Sequence, residues 1–206
     1  MDRPRIGISL DADQSSGGRK MYSINSDYAE AIFKQGGLPI LLPHSADSAV
    51  QAQMVEMIDG LLIPGGADCD PAFYKAAANP KNRPMEPLRL AFDLALMRRA
   101  DAVEMPVFGV CFGHQLMNVC RGGSLIQNLA EAFPESPIVH SKMENRVAGM
   151  GAVHLVALRG GTQVAEILGV TQIETNSRHR LAVERLGDRL VITGHAPDGV
   201  VEAIED

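Results

Sequence analysis

The segment Pro106-Val107-Phe108-Gly109-Val110-Cys111-Phe112-Gly113-His114-Gln115 decides the reading of this chain. Residues 106–110 read as a buried strand, and residues 113–119 continue as a helix. A cysteine at such a junction stands on a sharp turn, and the glycines on either side let the chain approach its neighbours closely. The helix directs its first N–H groups and its positive dipole end toward the sulfur, which favours the reactive thiolate. The N–H of Phe112 is placed to donate to a developing oxyanion. A lone cysteine at a strand end is usually inert packing; the paired glycines, the strand–turn–helix context and Gln115 instead make Cys111 a nucleophile.

Upstream, short apolar runs alternate with helical spacing. Residues 5–10, 39–43 and 60–64 read as strands. Asn25 or Ser26 reads as the cap of a helix whose buried face would carry Tyr28, Ala31, Ile32 and Phe33, and Gly36-Gly37 ends it. A second helix spans 45–59, with Val50, Met54, Met57 and Ile58 in register and the methionines as core fillers. Gly65-Gly66 stops the third strand. Residues 67–87 form a long Pro-, Asn- and Ala-rich loop, a kind that is commonly functional or mobile, and 88–103 form the next helix. This rhythm predicts a mostly parallel sheet covered on both faces. After about Ser124 the pattern changes. A strand at 124–129, little periodicity over 130–150, an alternating strand at 154–158, a short helix at 162–168 and two strands at 189–193 and 200–204 flanking Pro197-Asp198-Gly199 read as antiparallel.

The chain has 206 residues, which suits a single domain over 1–206 with an ample core. Its composition, 46% hydrophobic and 21% charged, is that of a globular protein. A formal charge of −6 argues against a phosphate-gripping nucleic-acid binder, and the few aromatics offer little stacking surface. No apolar run reaches membrane-spanning length, and the N-terminus lacks the apolar core of a secretion signal. Three cysteines (Cys69, Cys111 and Cys120) without such a signal point to a reducing, cytoplasmic setting. They lack zinc-site spacing. Asp11, Asp13, Asp68 and Asp70 read as turn or cap residues, so neither a metal nor a cofactor is expected.

Beyond the elbow, the sequence resembles a known family along nearly its whole length. Gly109-Val110-Cys111-Phe112-Gly113-His114-Gln115 is similar to the elbow of class I glutamine amidotransferases. Asp27-Tyr28-Ala29-Glu30-Ala31-Ile32, Gly36-Gly37-Leu38-Pro39, and Gly65-Gly66-Ala67-Asp68 with Pro71 and Tyr74 resemble the γ-glutamyl-γ-aminobutyrate hydrolase branch, peptidase C26-like. So do Gly122-Gly123-Ser124-Leu125-Ile126-Gln127, Asn176-Ser177-Arg178-His179, and the run from Ala196 through Pro197-Asp198-Gly199 to Val200-Val201-Glu202-Ala203-Ile204. The resemblance implies a three-layer, doubly wound α/β fold with a mostly parallel central sheet and a small antiparallel portion. It implies a hydrolase in which Cys111 attacks the γ-amide of glutamine or a γ-glutamyl amine through a thioester, with a small molecule as partner. It also implies Gly66 as the second oxyanion donor beside Phe112, and Gly65, Gln115, Ser177 and His179 around the substrate.

The same comparison exposes departures. Relatives carry their catalytic His and Glu in a His-Pro-Glu segment after the Asp-Gly-x-x-Glu-Ala-Ile motif, and this sequence contains no His-Pro-Glu. The His-His-Gln run reads His179-Arg180-Leu181, and Leu90 stands where relatives carry an acid. His179 is therefore the first substitute base, ahead of His195. The expected activity is impaired γ-glutamyl amide hydrolysis. The alternatives are an amidotransferase subunit delivering ammonia to a partner, or a non-catalytic or truncated relative with a binding or assembly role. A sheet edge left open at the C-terminal end makes a homo-oligomer an expectation.

Overall fold

The computed structural model describes residues 2–14, 18–141 and 152–206, and the chain forms two compact units. The first comprises residues 1–70 and 83–120, the second residues 71–82 and 121–206.

The first unit contains strands β1 (Arg5–Ser9), β2 (Asp11–Gln14) and β3 (Lys20–Ser23), helix α1 (Ser26–Lys34), β4 (Leu38–Leu42), α2 (Ser48–Glu56), β5 (Gly60–Ile63), α3 (Pro87–Ala102), β6 (Val107–Gly109) and α4 (Phe112–Cys120). Strands β4, β1, β5 and β6 lie side by side in that order, all parallel, with Ile6 opposite Gly60 and Ile63 opposite Gly109. Each crossover is a helix whose start is written in sequence. Asn25 accepts from the Asp27 N–H at 3.1 Å, Asp47 from Ala49 at 2.8 Å, and Glu86, ahead of a proline at the first helical position, from Arg89 at 2.7 Å. Every residue of β5 is buried, as a central parallel strand requires.

The details correct several expectations. On α1 only Ile32 is buried; Tyr28 packs partly beside it, Ala31 is exposed, and Phe33 is 51% exposed. Met57 is exposed at the end of α2, where Val55 and Ile58 fill the core instead. Phe108 is 66% exposed, so β6 is not the buried strand its composition suggested: it lies at the edge of this sheet and is covered on one face only. Asp11 and Asp13, expected as turn or cap residues, instead pair in the hairpin β2–β3, opposite Ser23 and Met21.

The second unit opens with a 3₁₀ turn, Pro71–Tyr74, and contains β7 (Leu125–Ile126), α5 (Leu129–Ala132), β8 (Ala152–Leu158), α6 (Gln163–Leu168), β9 (Gln172–Ser177), β10 (Ala182–Val183), β11 (Val191–His195) and β12 (Val201–Glu205). The expected strand at 124–129 shrinks to two residues before α5 begins. Residues 142–151, part of the stretch without periodicity, lie outside the described residues. Strands β12, β11, β8 and β9 form an antiparallel sheet in that order, while β7 pairs with β10. β8 alternates as predicted, turning His154, Val156 and Leu158 inward. The Glu205 carboxylate accepts from the N–H groups of Gln163 and Val164 and so caps α6 from the last strand. Part of the long loop is pinned rather than loose: Gln127 accepts from the Asn79 backbone and the Asn82 amide, both at 2.8 Å, and donates to the Ala77 carbonyl. No helix among the described residues is long and apolar enough to cross a membrane.

The join of α4 to the parallel sheet leaves no room for a side chain at Gly113, where a Cβ would lie 2.1 Å from the Ile63 carbonyl oxygen. At Gly7 the obstacles are the methyl ends of Ile58 and Leu42, at 2.7 and 2.8 Å, which can swing aside. Gly113→Ala is therefore expected to cost well over the ~1–3 kcal/mol of ordinary overpacking, and Gly7→Ala to stay within that range. Urea unfolding of the two variants beside the parent checks this ordering.

Candidate active site

The carboxyl ends of β1, β5 and β6 converge in the first unit, the place where open parallel sheets hold their ligands. β6 ends at Gly109, and α4 begins at Phe112. The turn between them is tight: Gly113 N–H donates to the Val110 carbonyl at 3.0 Å, and Gln115 N–H to that of Cys111 at 3.0 Å. A Cβ on Gly109 would meet the backbone of Gly113 at 2.4 Å. With both glycines locked against backbone, the chain turns at Cys111, which takes φ +52°. A left-handed non-glycine residue costs about 1–2 kcal/mol, and such strain is concentrated at functional positions. Phe112, the first helical residue, has no acceptor within the helix for its N–H.

The Gly65-Gly66 turn lies beside this elbow. A Cβ built on Gly65 would sit 3.6 Å from Cys111 Cβ and 3.5 Å from the Tyr28 hydroxyl. Gly65 N–H already donates to that hydroxyl at 3.2 Å, so its amide is committed. Gln115 is buried one helical turn beyond Cys111.

What holds the glycine turn in place is a residue the sequence reading passed over. Arg89, on α3, is fully buried. Its Nη2 donates to the Gly65 carbonyl at 3.1 Å, Nε pairs with Asp93 Oδ2 at 3.3 Å, and Nη1 pairs with Asp11. Its Cζ lies 5.3 Å from the centre of the Phe112 ring. One guanidinium thus touches the glycine turn, the first residue of α4 and the hairpin strand β2. A Cβ on Gly66 would lie 2.6 Å from Met85 Cε and 2.8 Å from Arg89 Nη1, so the guanidinium packs directly against the glycine. The only sequence signal was an Arg and an Asp four residues apart on one helix, a pattern more common on solvated faces. Asp93 is also fully buried; burial pushes its carboxyl well above the usual range, and Arg89 offsets only part of that.

The remaining thiols differ from Cys111. Cys69 is completely buried, and burial first, then the neighbouring Cys120, Asp70 and Asp68, push it up to about 12. It stays a neutral, inert thiol.

Ser177 and His179, expected around the substrate, lie in the second unit. Ser177 Oγ donates to the His140 carbonyl at 3.0 Å. His179 Nδ1 lies 2.9 Å from the Leu181 carbonyl, and Nε2 faces Glu202 Oε2 at 3.2 Å. Burial lowers its pKa, but the Glu202 carboxylate and the Leu181 carbonyl more than reverse this, so the net shift is upward. Glu202 is shifted downward, because His179 and then His154 and His140 outweigh its burial. His195, the weaker substitute, is exposed on β11. Sequence reading missed the company His179 keeps: His140, His154 and Glu202 are far apart in the chain, and only the sheet brings them together.

The comparisons with known proteins agree with this architecture. The family model for peptidase C26 matches residues 4–206, and the chain belongs to that family. It is 33% identical to Protein NtpR of Enterococcus hirae over 98% of this chain and 84% of that one. It is 28% identical to the gamma-glutamyl-gamma-aminobutyrate hydrolase PuuD of Escherichia coli over 99% and 80% respectively. Among solved structures, a glutamine amidotransferase from Thermotoga maritima superposes with a TM-score of 0.61 at 9% identity, over 100% of this chain and 72% of that one. Another from Methylobacillus flagellatus gives 0.56 at 16% identity, over 98% and 65%. The fold is that of the class I glutamine amidotransferases.

Two outcomes test the geometry. At φ +52° the residue at 111 is strained unless it is glycine, so Cys111→Gly is expected to be about 1 kcal/mol more stable than Cys111→Ala, by denaturant midpoint, although glycine loosens the unfolded chain. Arg89→Met strands the buried Asp93 and should cost about 3–5 kcal/mol near neutral pH. Without the guanidinium the folded-state pKa of Asp93 rises further, while its unfolded value stays near ~3.9. The folded variant then holds its proton more tightly than the unfolded chain, so its stability falls as pH rises above about 4. The deficit relative to the parent must therefore shrink toward acid. Urea melts across pH measure it, and Arg89→Met with Asp93→Leu should recover most of the loss.

Proposed function

We propose that this chain acts on the γ-amide of glutamine or of a γ-glutamyl amine through Cys111. The observation that carries the reading is the strained Cys111, held at the carboxyl end of the parallel sheet and the start of α4, with the Gly65-Gly66 turn alongside. Membership of the peptidase C26 family supports it, and the printed name of the Escherichia coli relative supports the substrate class.

In this reading the thiolate attacks the amide carbon. The sulfur–carbon bond forms, charge gathers on the oxygen, and the N–H groups of Phe112 and Gly66 donate hydrogen bonds to that oxygen. Gly66 takes that place because the Gly65 amide is already given to Tyr28. The carbon–nitrogen bond then breaks, the amine leaves with a proton drawn from solvent, and water adds to the thioester to release the γ-carboxylate and the free thiol. Arg89 is a positioning residue that fixes the glycine turn through the Gly65 carbonyl. His179, whose Nε2 faces Glu202, is not assigned the base role in this reading; the thiolate form of Cys111, favoured by the start of α4, makes the attack.

An affinity experiment tests this. A glutamine-like chloroketone is expected to add once per chain, at Cys111, and a γ-glutamyl amide should slow the addition. Cys69, shielded and neutral, should remain unmodified in the native protein. Peptide mass mapping reads the site. Addition at Cys69 or Cys120 at the same rate, or addition at Cys111 that no γ-glutamyl compound slows, would overturn the proposal.

A further inference from the structure

Three histidines from different parts of the second unit turn toward one carboxylate. His140 Nδ1 lies 3.1 Å from Glu202 Oε1, His154 Nε2 lies 3.5 Å from the same oxygen, and His179 Nε2 lies 3.2 Å from Oε2. The four ligand atoms are all within 4.8 Å of one another. The histidine side chains are 5%, 3% and 14% exposed, which separates the cluster from a solvated patch.

The outward nitrogens explain what the inward ones offer. His140 Nε2 lies 3.0 Å from Asp198 Oδ2, and that oxygen also accepts from Ser136 at 2.6 Å. His154 Nδ1 faces the Leu155 carbonyl at 3.0 Å, and His179 Nδ1 the Leu181 carbonyl at 2.9 Å. Carbonyl and carboxylate oxygens only accept, so each outward nitrogen carries the proton. In the neutral ring the inward nitrogen then presents a lone pair. His140 Nδ1, His154 Nε2, His179 Nε2 and Glu202 Oε1 all lack a hydrogen-bond partner, although they are buried. A proton shared between His179 and Glu202 would relieve one of these contacts and leave the lone pairs of His140 and His154 facing a carboxylate. Buried polar atoms left in this way are costly, and their convergence calls for a cation.

We propose that His140, His154, His179 and Glu202 form a binding site for one divalent transition-metal ion, zinc by ligand chemistry. Three imidazoles and a carboxylate suit zinc, and four protein ligands leave no open position, so the site is structural. Metal–ligand bonds of about 2.0–2.1 Å in a tetrahedron place neighbouring ligands about 3.3–3.4 Å apart. The three histidine–glutamate distances bracket that value. The outward partners, one carboxylate and two carbonyls, are the kind that fix the tautomer and orientation of ligating histidines. The bound ion would tie the 140 region, β8, the end of β9 and β12 together. Nothing in the residue pattern hinted at it, since these residues follow no metal-ligand spacing and no metal was expected.

The test uses the full chain without a histidine tag, stripped with a chelator and titrated with zinc and with cobalt(II). One ion per chain, a higher melting temperature, and cobalt bands of a four-coordinate nitrogen–oxygen site without thiolate charge transfer are expected. Asp198→Asn, which perturbs the partner of His140, should weaken binding about 10–100-fold, and His154→Asn should weaken it by more than about 100-fold. Because either variant could fail to fold, the cobalt spectrum of the parent stands as the primary readout. Absence of stoichiometric binding to the folded parent, thiolate charge transfer in its spectrum, or unchanged affinity in folded His154→Asn would overturn the proposal.

Discussion

The absent side chain of Gly113 governs the first unit. Because a Cβ there would strike the Ile63 carbonyl, α4 can start directly on the parallel sheet only with glycine at this position. The helix then begins one residue after Cys111, and the backbone reaches it by forcing that residue into the left-handed region. Strain, an N–H without an intrahelical acceptor and the positive end of a helix all meet at one sulfur. None of these belongs to the cysteine itself. Each follows from how closely two backbones approach.

Arg89 extends the same constraint sideways. A guanidinium without solvent contact is unfavourable unless its donors are used, and here they go to Gly65, Asp93 and Asp11 while its plane lies near Phe112. Removing it would free the glycine turn and leave Asp93 unpaired. The glycine turn beside Cys111 therefore hangs on a chain of buried polar contacts through one guanidinium.

The second unit uses buried charge differently. Glu202 on β12 gathers three imidazoles whose far nitrogens are already held by Asp198 and by carbonyls. The antiparallel sheet supplies the placement: β8 turns His154 inward with Val156 and Leu158, and His179 lies two residues past the end of β9. Ser177, read from sequence as a pocket residue, serves the same region by bonding the His140 carbonyl.

The parallel half was legible because its signals are local: apolar strands, helical spacing, a cap at Asn25, and paired glycines around Cys111. The polar hairpin β2–β3 was not, since its residues carry no apolar alternation, and neither was the exposure of Phe108, which depends on where β6 lies in the sheet order. The elbow could be read from seven consecutive residues because a turn is made by neighbours. The grip of Arg89 on Gly65, and the meeting of His140, His154, His179 and Glu202, join residues dozens of positions apart, whose proximity is set by strand pairing and helix placement. Sequence alone therefore determined the elbow around Cys111, the family and the alternation of strands and helices in most of the parallel half. Tertiary structure decided what steadies the glycine turn beside Cys111 and which buried histidines share one carboxylate, because strand pairing and helix placement, not neighbours in the chain, bring those groups together.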